Sequence, residues 1–314
     1  MNYPTTAADG LIVRKQRDDV SAVLNRMSDI IGRAVDFGTH VFNWCGPESS
    51  GKSFALLPPL MLLFHCTEAA DSISLLVRAG SIDPCGPLLR TEMEGALSIF
   101  YILQTDTERR GLAYRFGRYF AESSALERLD STTQKGQEAE RRLASDVSFG
   151  GVLPKPDPAQ IAAARADVAN RMADARFDEV RSAWQAWQSS HRDRPPHWYS
   201  LFGGPTSVAE LAQRVGVVGW YDLFYRNFSD EVHSTTAMNS IRNSGVANRA
   251  LIKPIRYPDG AQLCFQLCTS LLFYVYQSMI GRFCPAQMQA FQDWYAETIQ
   301  RDFLELGNTI IKGS

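Results

Sequence analysis

The residues best suited to chemistry lie in one short segment, WYDLFYRNFSDEVHST. Its Arg226 and His233 are seven positions apart, which on an α-helix places them on nearly the same face and about 10 Å apart along the axis. Ser229 and Asp230 lie between them on neighbouring rows. Asp230 can pair with both Arg226 and His233, and such a carboxylate would orient the imidazole or favour its charged form. The alternative is a structural network that joins two helices and has no catalytic role.

A second pair of charged residues occurs in the segment LLRTEMEGALSIFYIL. Arg90 and Glu94 are four positions apart on one helical face, while Leu89, Met93 and Ala96 face elsewhere. Such a pair on an amphipathic helix is usually a surface ion pair that contributes a few tenths of a kcal/mol. It becomes a candidate site only if folding brings it beside the segment with Arg226 and His233.

A third pattern is the phosphate-loop motif, which GPESSGKS at 46–53 satisfies. In a nucleotide-binding loop, Lys52 would reach the β- and γ-phosphates and Ser53 would hold Mg²⁺. The motif needs a strand before it and a helix of several turns after it, whereas Pro58 and Pro59 fall where that helix should run. We therefore expect a polar loop between helices and keep nucleotide binding as an alternative.

Metal binding has weak support in the sequence. His65, Glu68 and Asp71 could line one helix, with Glu94 and His233 brought in by folding. No Glu-x-x-His pair is present, which argues against a di-metal carboxylate centre in a helical bundle. We expect neither a metal nor another cofactor.

Helical periodicity dominates the chain and must position these residues. Apolar residues recur at spacings of three and four, and Pro- and Gly-rich breakers separate the periodic segments, which are 11–36, 60–79, 88–103, 208–225 and 286–306. Strand-like alternation is scarce, and 37–44 is the best candidate strand. The sequence therefore predicts an all-α protein, a single helical bundle of about eight or nine helices.

One region differs from the rest in composition. Residues 122–194 are rich in Ala, Arg, Asp, Glu and Gln and poor in large apolar residues. Glycines and prolines between 150 and 158 divide it, which predicts a charged helical hairpin inserted in one domain spanning 1–314, with Trp184 and Trp187 anchoring its return. We expect its charges to form a solvated face, and a protein partner at this hairpin is the alternative.

Composition limits the class of protein. The chain has 314 residues, 32 Lys plus Arg against 34 Asp plus Glu, and 45% hydrophobic residues. That is too apolar for a disordered protein, and the balanced charge argues against a dedicated cationic nucleic-acid binder while leaving room for a local basic cleft.

Several features favour a cytoplasmic location. None of the six cysteines forms a Cys-x-x-Cys pair, as expected of reduced core thiols, and residues 1–20 lack an apolar signal-peptide region. The apolar segment 54–64 is too short to span a membrane, and 263–280 carries polar residues that suit a core helix better than a lipid-facing one. We predict that the protein has no membrane partner.

Two blocks of the chain resemble a widespread, largely uncharacterised bacterial family of all-helical proteins. In that family one helix opens with Arg-x-x-x-Glu, which Arg90 and Glu94 match. A later block carries Trp-aromatic and then Tyr, Ser and Val-His, which Trp198-Tyr199 and the segment from Tyr225 to His233 match. The resemblance covers roughly 60–120 and 195–245 and implies a helical fold, but it implies no established activity.

The Arg226-Asn227…His233 spacing also resembles the motif of HEPN-type ribonucleases of bacterial toxin and phage-defence systems. That resemblance implies metal-independent cleavage through the RNA 2′-hydroxyl, in a site commonly completed by dimerisation. His233 would be general base or acid, Arg226 would stabilise charge on the phosphorane, and Asn227 would position the substrate. Ser229, Arg90 and Glu94 would complete the site, RNA would be the partner, and we expect a homo-oligomer.

A second hypothesis is a non-catalytic helical interaction or sensor protein. In that case the Arg/Glu and Ser/His residues hold helices together, and loss of one of them should lower the melting temperature. Nucleotide binding through 46–53 is the third hypothesis.

Overall fold

The computed structural model describes residues 10–50, 54–146, 157–191, 194–228, 237–243 and 250–309. The fold is all-α, as predicted. Its helices are α1 (Asp18–Ser50), α2 (Leu57–Arg78), α3 (Cys85–Gln104), α4 (Thr107–Leu129), α5 (Gln134–Ser145), α6 (Pro158–Met172), α7 (Asp178–Ser190), α8 (Val208–Arg214), α9 (Val218–Trp220), α10 (Ala261–Phe283), α11 (Met288–Trp294) and α12 (Gln300–Gly307).

Shorter elements connect these helices. A π-helical turn, Tyr221–Tyr225, follows α9, and another, Tyr295–Ile299, joins α11 to α12. Two three-residue strands, β1 (Ile241–Asn243) and β2 (Ala250–Ile252), pair antiparallel with Ile241 opposite Ile252.

The chain divides into two compact units. The first contains the residues up to Thr105 together with those from Val208 onward, and the second is Asp106–Ser207. The predicted hairpin, 122–194, falls inside the second unit. The prediction that the whole chain is one domain stays a prediction.

Four long helices, α1, α2, α3 and α10, pack against one another in the first unit. Leu24, Ile31 and Val41 of α1 are fully buried, as are Phe265 and Tyr276 of α10. Burial of such side chains is the main force that holds the four helices together. The helices also make a polar contact, because the Tyr276 hydroxyl donates a hydrogen bond of 2.9 Å to the Ala34 carbonyl.

The predicted strand at 37–44 is wrong, because these residues continue α1. Phe37, Val41 and Cys45 follow one another at intervals of four and are all buried, so the helical face that begins at Leu24 extends through this segment. Gly38 belongs to the same stretch, and a Cβ there would collide with the hydroxyl of Tyr276.

Two helices are long and apolar enough to cross a membrane by length and composition: Phe54–Arg78, which includes α2, and Ala261–Phe283, which is α10. About half of each apolar window is buried inside the protein, at 50% and 56%. Core helices of soluble proteins have the same properties, so the absence of a membrane partner stays a prediction.

The second unit is built on aromatic contacts between α4 and α7. Trp184 is buried, with its ring centroid 5.4 Å from that of Phe116 and 4.8 Å from that of Phe120. Within 122–194 the described residues form α5, α6 and α7 and the end of α4. Their charges pair at the surface, for example Arg171 with Glu122.

Candidate functional site

Arg90 and Glu94 lie on α3 with one turn between them. Arg90 Nε donates to Glu94 Oε1 at 3.0 Å, which confirms the contact that their spacing indicated. The Arg90 side chain is 23% exposed and that of Glu94 is 47% exposed, so the pair is at the edge of the first unit. An ion pair this exposed would contribute little by itself.

A third residue, Tyr225, completes a closed network with this pair. Its hydroxyl donates to Glu94 Oε1 at 2.6 Å and accepts from Arg90 Nη2 at 3.1 Å. The Arg90 guanidinium also lies 4.9 Å from the centroid of the Tyr225 ring, within cation–π range. Because Tyr225 ends the π-helical turn, these contacts fix that turn against α3. We call Arg90, Glu94 and Tyr225 the α3 network.

The network changes the ionisation of two of its members. Burial and the hydrogen bond to Glu94 raise the pKa of the Tyr225 hydroxyl. Burial by itself would lower the pKa of Arg90, but its bonds to Glu94 and Tyr225 outweigh that effect and raise the pKa. At neutral pH the tyrosine is therefore a neutral donor and the arginine a cation.

Arg226 and Asn227 follow Tyr225 directly and are both exposed. Asn227 Nδ2 donates to the carbonyl of Leu223 at 3.0 Å, a local bond within its own helix. Within the part of the chain that the structure describes, the guanidinium of Arg226 has no hydrogen bond or ion pair. Ser229 and His233, which we predicted beside them, lie outside the described residues.

The sequence profile of a family of unknown function, DUF5677, matches residues 57–246, well over half of the chain. The chain belongs to this family. The match confirms the predicted membership of an uncharacterised helical family, and the range in DUF5677 includes both α3 and Tyr225. No curated protein and no solved structure matches the chain. The DUF5677 match assigns no activity, so the resemblance to HEPN-type ribonucleases stays a prediction.

The cavity beside α9 is the second feature of the site. It has a volume of about 510 Å³ and is lined by Phe100, Trp220 and Tyr274 together with residues 215–217, Gly219 and Ser278. The Trp220 ring centroid is 5.3 Å from that of Tyr274 and 6.3 Å from that of Phe100. Of these three residues, Trp220 lies immediately before the π-helical turn in the chain.

Sequence reasoning missed Glu92, which lies between Arg90 and Glu94 but on the opposite side of α3. Its side chain is fully buried, and neither carboxylate oxygen accepts a hydrogen bond of ordinary geometry. Burial raises the pKa of Glu92 well above its usual value, and the thiol of Cys268, which faces it, opposes this only in part. The carboxyl group is therefore neutral in the folded protein well above pH 4.5. Spacing could have found it, because Glu92 shares a helical face with the buried Leu89 and Ala96.

The phosphate-loop motif at 46–53 does not follow a strand, which a nucleotide-binding loop of this type needs. Residues 46–50 are the end of α1, so a long helix precedes the motif where a nucleotide-binding loop requires a strand. Pro58 and Pro59 lie in the first turn of α2, where proline is well tolerated. Lys52 and Ser53 lie outside the described residues.

Within the part of the chain that the structure describes, no group of three or more His, Cys, Asp or Glu could hold a metal ion.

Proposed function

We propose that the protein is a metal-independent endoribonuclease whose catalytic residues are Arg226, Asn227 and His233. The observation that carries this proposal is the position of Tyr225. The α3 network fixes this residue, and the next residue along the chain presents an exposed guanidinium. A fixed backbone next to an exposed cation is what electrostatic stabilisation of a phosphoryl transition state requires.

The π-helical turn supports the same proposal. Such turns are rare and occur frequently at functional sites, because the extra residue changes the direction of the side chains that follow. Here the turn ends at Tyr225, so Arg226 and Asn227 are the first residues after it.

The cavity beside α9 offers a place for a base. Bases of single-stranded RNA stack on exposed aromatic side chains, and Trp220 and Tyr274 provide such faces. Trp220 precedes Arg226 by six residues, which is roughly 9 Å along a helix and suits a base and a phosphate of the same RNA strand. RNA binding through aromatic stacking is also compatible with the balanced net charge of the chain.

The reaction would be an internal transesterification. His233 takes the proton of the 2′-hydroxyl, the 2′-oxygen attacks phosphorus, and the 5′-oxygen leaves with a proton. Arg226 stabilises the added negative charge, while Arg90 and Glu94 act as positioning residues through Tyr225. The products are a 2′,3′-cyclic phosphate and a 5′-hydroxyl, and water and metal are not consumed.

The test is cleavage of single-stranded RNA in the presence of EDTA. We expect wild-type protein to cleave RNA but not the same oligonucleotide with 2′-deoxyriboses, and His233→Ala to reduce the rate by about 10²–10⁴-fold, as expected of a general acid–base group. Arg118→Ala, at an exposed arginine of the second unit, is the matched control and should cleave normally. Equal activity of His233→Ala and wild type would overturn the assignment of the site.

The second candidate is a non-catalytic interaction or sensor protein. The hydrogen bonds of the α3 network favour this candidate. Arg90, Glu94 and Tyr225 bond to one another, as residues of a structural network do. In this case Arg90→Ala lowers the melting temperature and no variant or wild-type sample cleaves RNA. The charged surface of 122–194 is then the proposed contact with a protein partner. Under either proposal we place the protein in the cytoplasm and expect a homo-oligomer.

A further inference from the structure

Two thiols from distant parts of the chain meet in the first unit. Cys45, near the end of α1, and Cys284, the residue after α10, have their Sγ atoms 3.6 Å apart. Cys45 is fully buried, whereas Cys284 is partly exposed. The thiols of Cys66 and Cys85 face backbone carbonyls instead, those of Glu92 and Ser81.

The geometry permits a covalent bond between Cys45 and Cys284. A disulfide requires a sulfur–sulfur distance of about 2.0 Å, so the two atoms must approach by roughly 1.5 Å. Cys284 has φ −146° and ψ 57°, outside helical geometry, and it connects α10 to the short 3-10 turn Pro285–Gln287. The Cys284 N–H donates to the Ile280 carbonyl at 2.9 Å, so we expect a side-chain rotation with a small shift of the following turn to supply the movement.

We propose that Cys45 and Cys284 form a redox modification site at which a peroxide or a small-molecule disulfide produces a reversible intramolecular disulfide. This proposal does not rest on the proposed nuclease function, and both cysteines lie outside the residues of the DUF5677 match.

The two cysteines have different roles in this reaction. Cys284 reacts first because solvent reaches it: its thiolate attacks hydrogen peroxide, a sulfur–oxygen bond forms, the oxygen–oxygen bond breaks, and hydroxide leaves to become water. Cys45 then attacks the Cys284 sulfur, loses its proton and expels a second hydroxide as water. Overall, two thiols and one peroxide give one disulfide and two waters.

The environment of Cys45 explains why it is not the cysteine that reacts first. Burial, together with the neighbouring Cys284 thiol, raises the pKa of Cys45 well above its usual range. A buried, protonated thiol is protected from peroxide in solution and reacts only with a partner already in contact with it.

The bond would join the end of α1 to the end of α10. The two cysteines are 239 positions apart, so the disulfide would close a long loop and remove much conformational freedom from the unfolded chain. We expect the oxidised protein to melt on the order of 5 °C higher than the reduced protein.

The experiment uses the full-length protein treated with hydrogen peroxide or oxidised glutathione. Free thiols are then alkylated, and peptide mapping identifies the cross-link. We expect a Cys45–Cys284 peptide pair in monomeric protein, the higher melting temperature, and reversal of both by dithiothreitol. Cys45→Ala and Cys284→Ser should each abolish the pair, whereas Cys85→Ser, at another buried thiol, should retain it.

Two results would overturn the proposal. One is oxidation of Cys284 to sulfinic acid in wild-type protein without a cross-link to Cys45. The other is a cross-link that joins other cysteines, or cysteines of two chains, in place of the Cys45–Cys284 pair. Both are read from wild-type protein, so the proposal remains testable even if a cysteine variant fails to fold.

Discussion

Glu92 and Glu94 are two positions apart on α3, yet their environments are opposite. Glu92 faces the helices of the core, fully buried and without a hydrogen bond of ordinary geometry. Glu94 faces the edge of the unit, is 47% exposed, and accepts from both Arg90 and Tyr225. Because a helix turns about 100° per residue, two positions are enough to exchange one environment for the other.

The two carboxyl groups therefore have different roles: Glu92 affects the stability of the protein, and Glu94 positions Tyr225. The buried carboxyl stays in the core only as a neutral acid, so it ties the stability of the protein to pH. The exposed carboxylate of Glu94 accepts hydrogen bonds from Arg90 and Tyr225, so it can hold Tyr225 and the residues after it in place. The two sides of α3 should therefore respond differently to substitution.

The largest effect is expected for Glu92→Gln, which removes the ionisable group from the buried side. The folded-state pKa is raised, so the stabilising contribution is complete below about pH 4.5 and is lost as pH rises toward the folded-state pKa. The variant should gain stability relative to wild type by about 1.4 kcal/mol for each pH unit in that range. Urea denaturation at pH 5, 6 and 7 measures this.

Glu94→Gln is the matched control on the exposed side of α3. It should lower stability rather than raise it, since it weakens the acceptor of Arg90 and Tyr225. A parallel pH dependence of Glu92→Gln and wild type would contradict the description of Glu92.

Gly95→Ala tests how closely α2 and α3 pack beside Glu92. A Cβ at this position would lie 2.6 Å from the Cys66 sulfur, well inside van der Waals contact. We expect a loss of about 1–3 kcal/mol in the free energy of unfolding, as for other overpacked cores. Gly32→Ala, where a Cβ meets nothing within 4 Å, is the control and should be neutral or slightly stabilising. Similar effects of both variants would show that the two helices pack loosely.

Tyr225→Phe tests the exposed side of α3. It removes one hydroxyl and both of its hydrogen bonds, so we expect a loss of about 0.5–1.5 kcal/mol in the free energy of unfolding. The hydroxyl has a raised pKa in the folded protein, so its contribution should be complete below about pH 10 and should decrease as pH rises from there toward the folded-state pKa. Denaturation curves at pH 8 and pH 10.5 measure this. A variant as stable as wild type at pH 8 would show that the network is not formed in solution.

The smallest effect is expected in the second unit. Glu179 pairs with Arg109 at 3.3 Å, but both side chains are well exposed, at 65% and 38%. Glu179→Gln should change the free energy of unfolding by less than about 0.5 kcal/mol. A larger loss would show that the surface charges of this unit hold it together, contrary to the solvated face that the sequence predicted.

Local sequence patterns were sufficient for most of the fold. The periodic segment 88–103 became α3, and the Arg90–Glu94 contact followed from its spacing. In the segment 37–44 the alternation of apolar residues favours a strand, whereas the burial of Phe37, Val41 and Cys45 shows that the helical face of α1 continues. The periodicity of apolar residues does not distinguish a helix from a strand where both patterns fit the same short segment.

The rest of the site depends on contacts between distant parts of the chain. Tyr225 is 131 positions from Glu94, so no local pattern could pair them. Glu92 is different, because its spacing from Leu89 and Ala96 places it on the buried face of α3. Its neutral state, however, depends on the helices that surround it.

The most direct test of the account is RNA cleavage by Tyr225→Phe, measured in EDTA at a temperature where this variant and wild type are both fully folded. If the α3 network holds the π-helical turn that precedes Arg226, the rate should fall about tenfold or more, although Tyr225 itself does not touch the substrate. Equal rates for the variant and wild type, or no cleavage by wild type, would contradict the account.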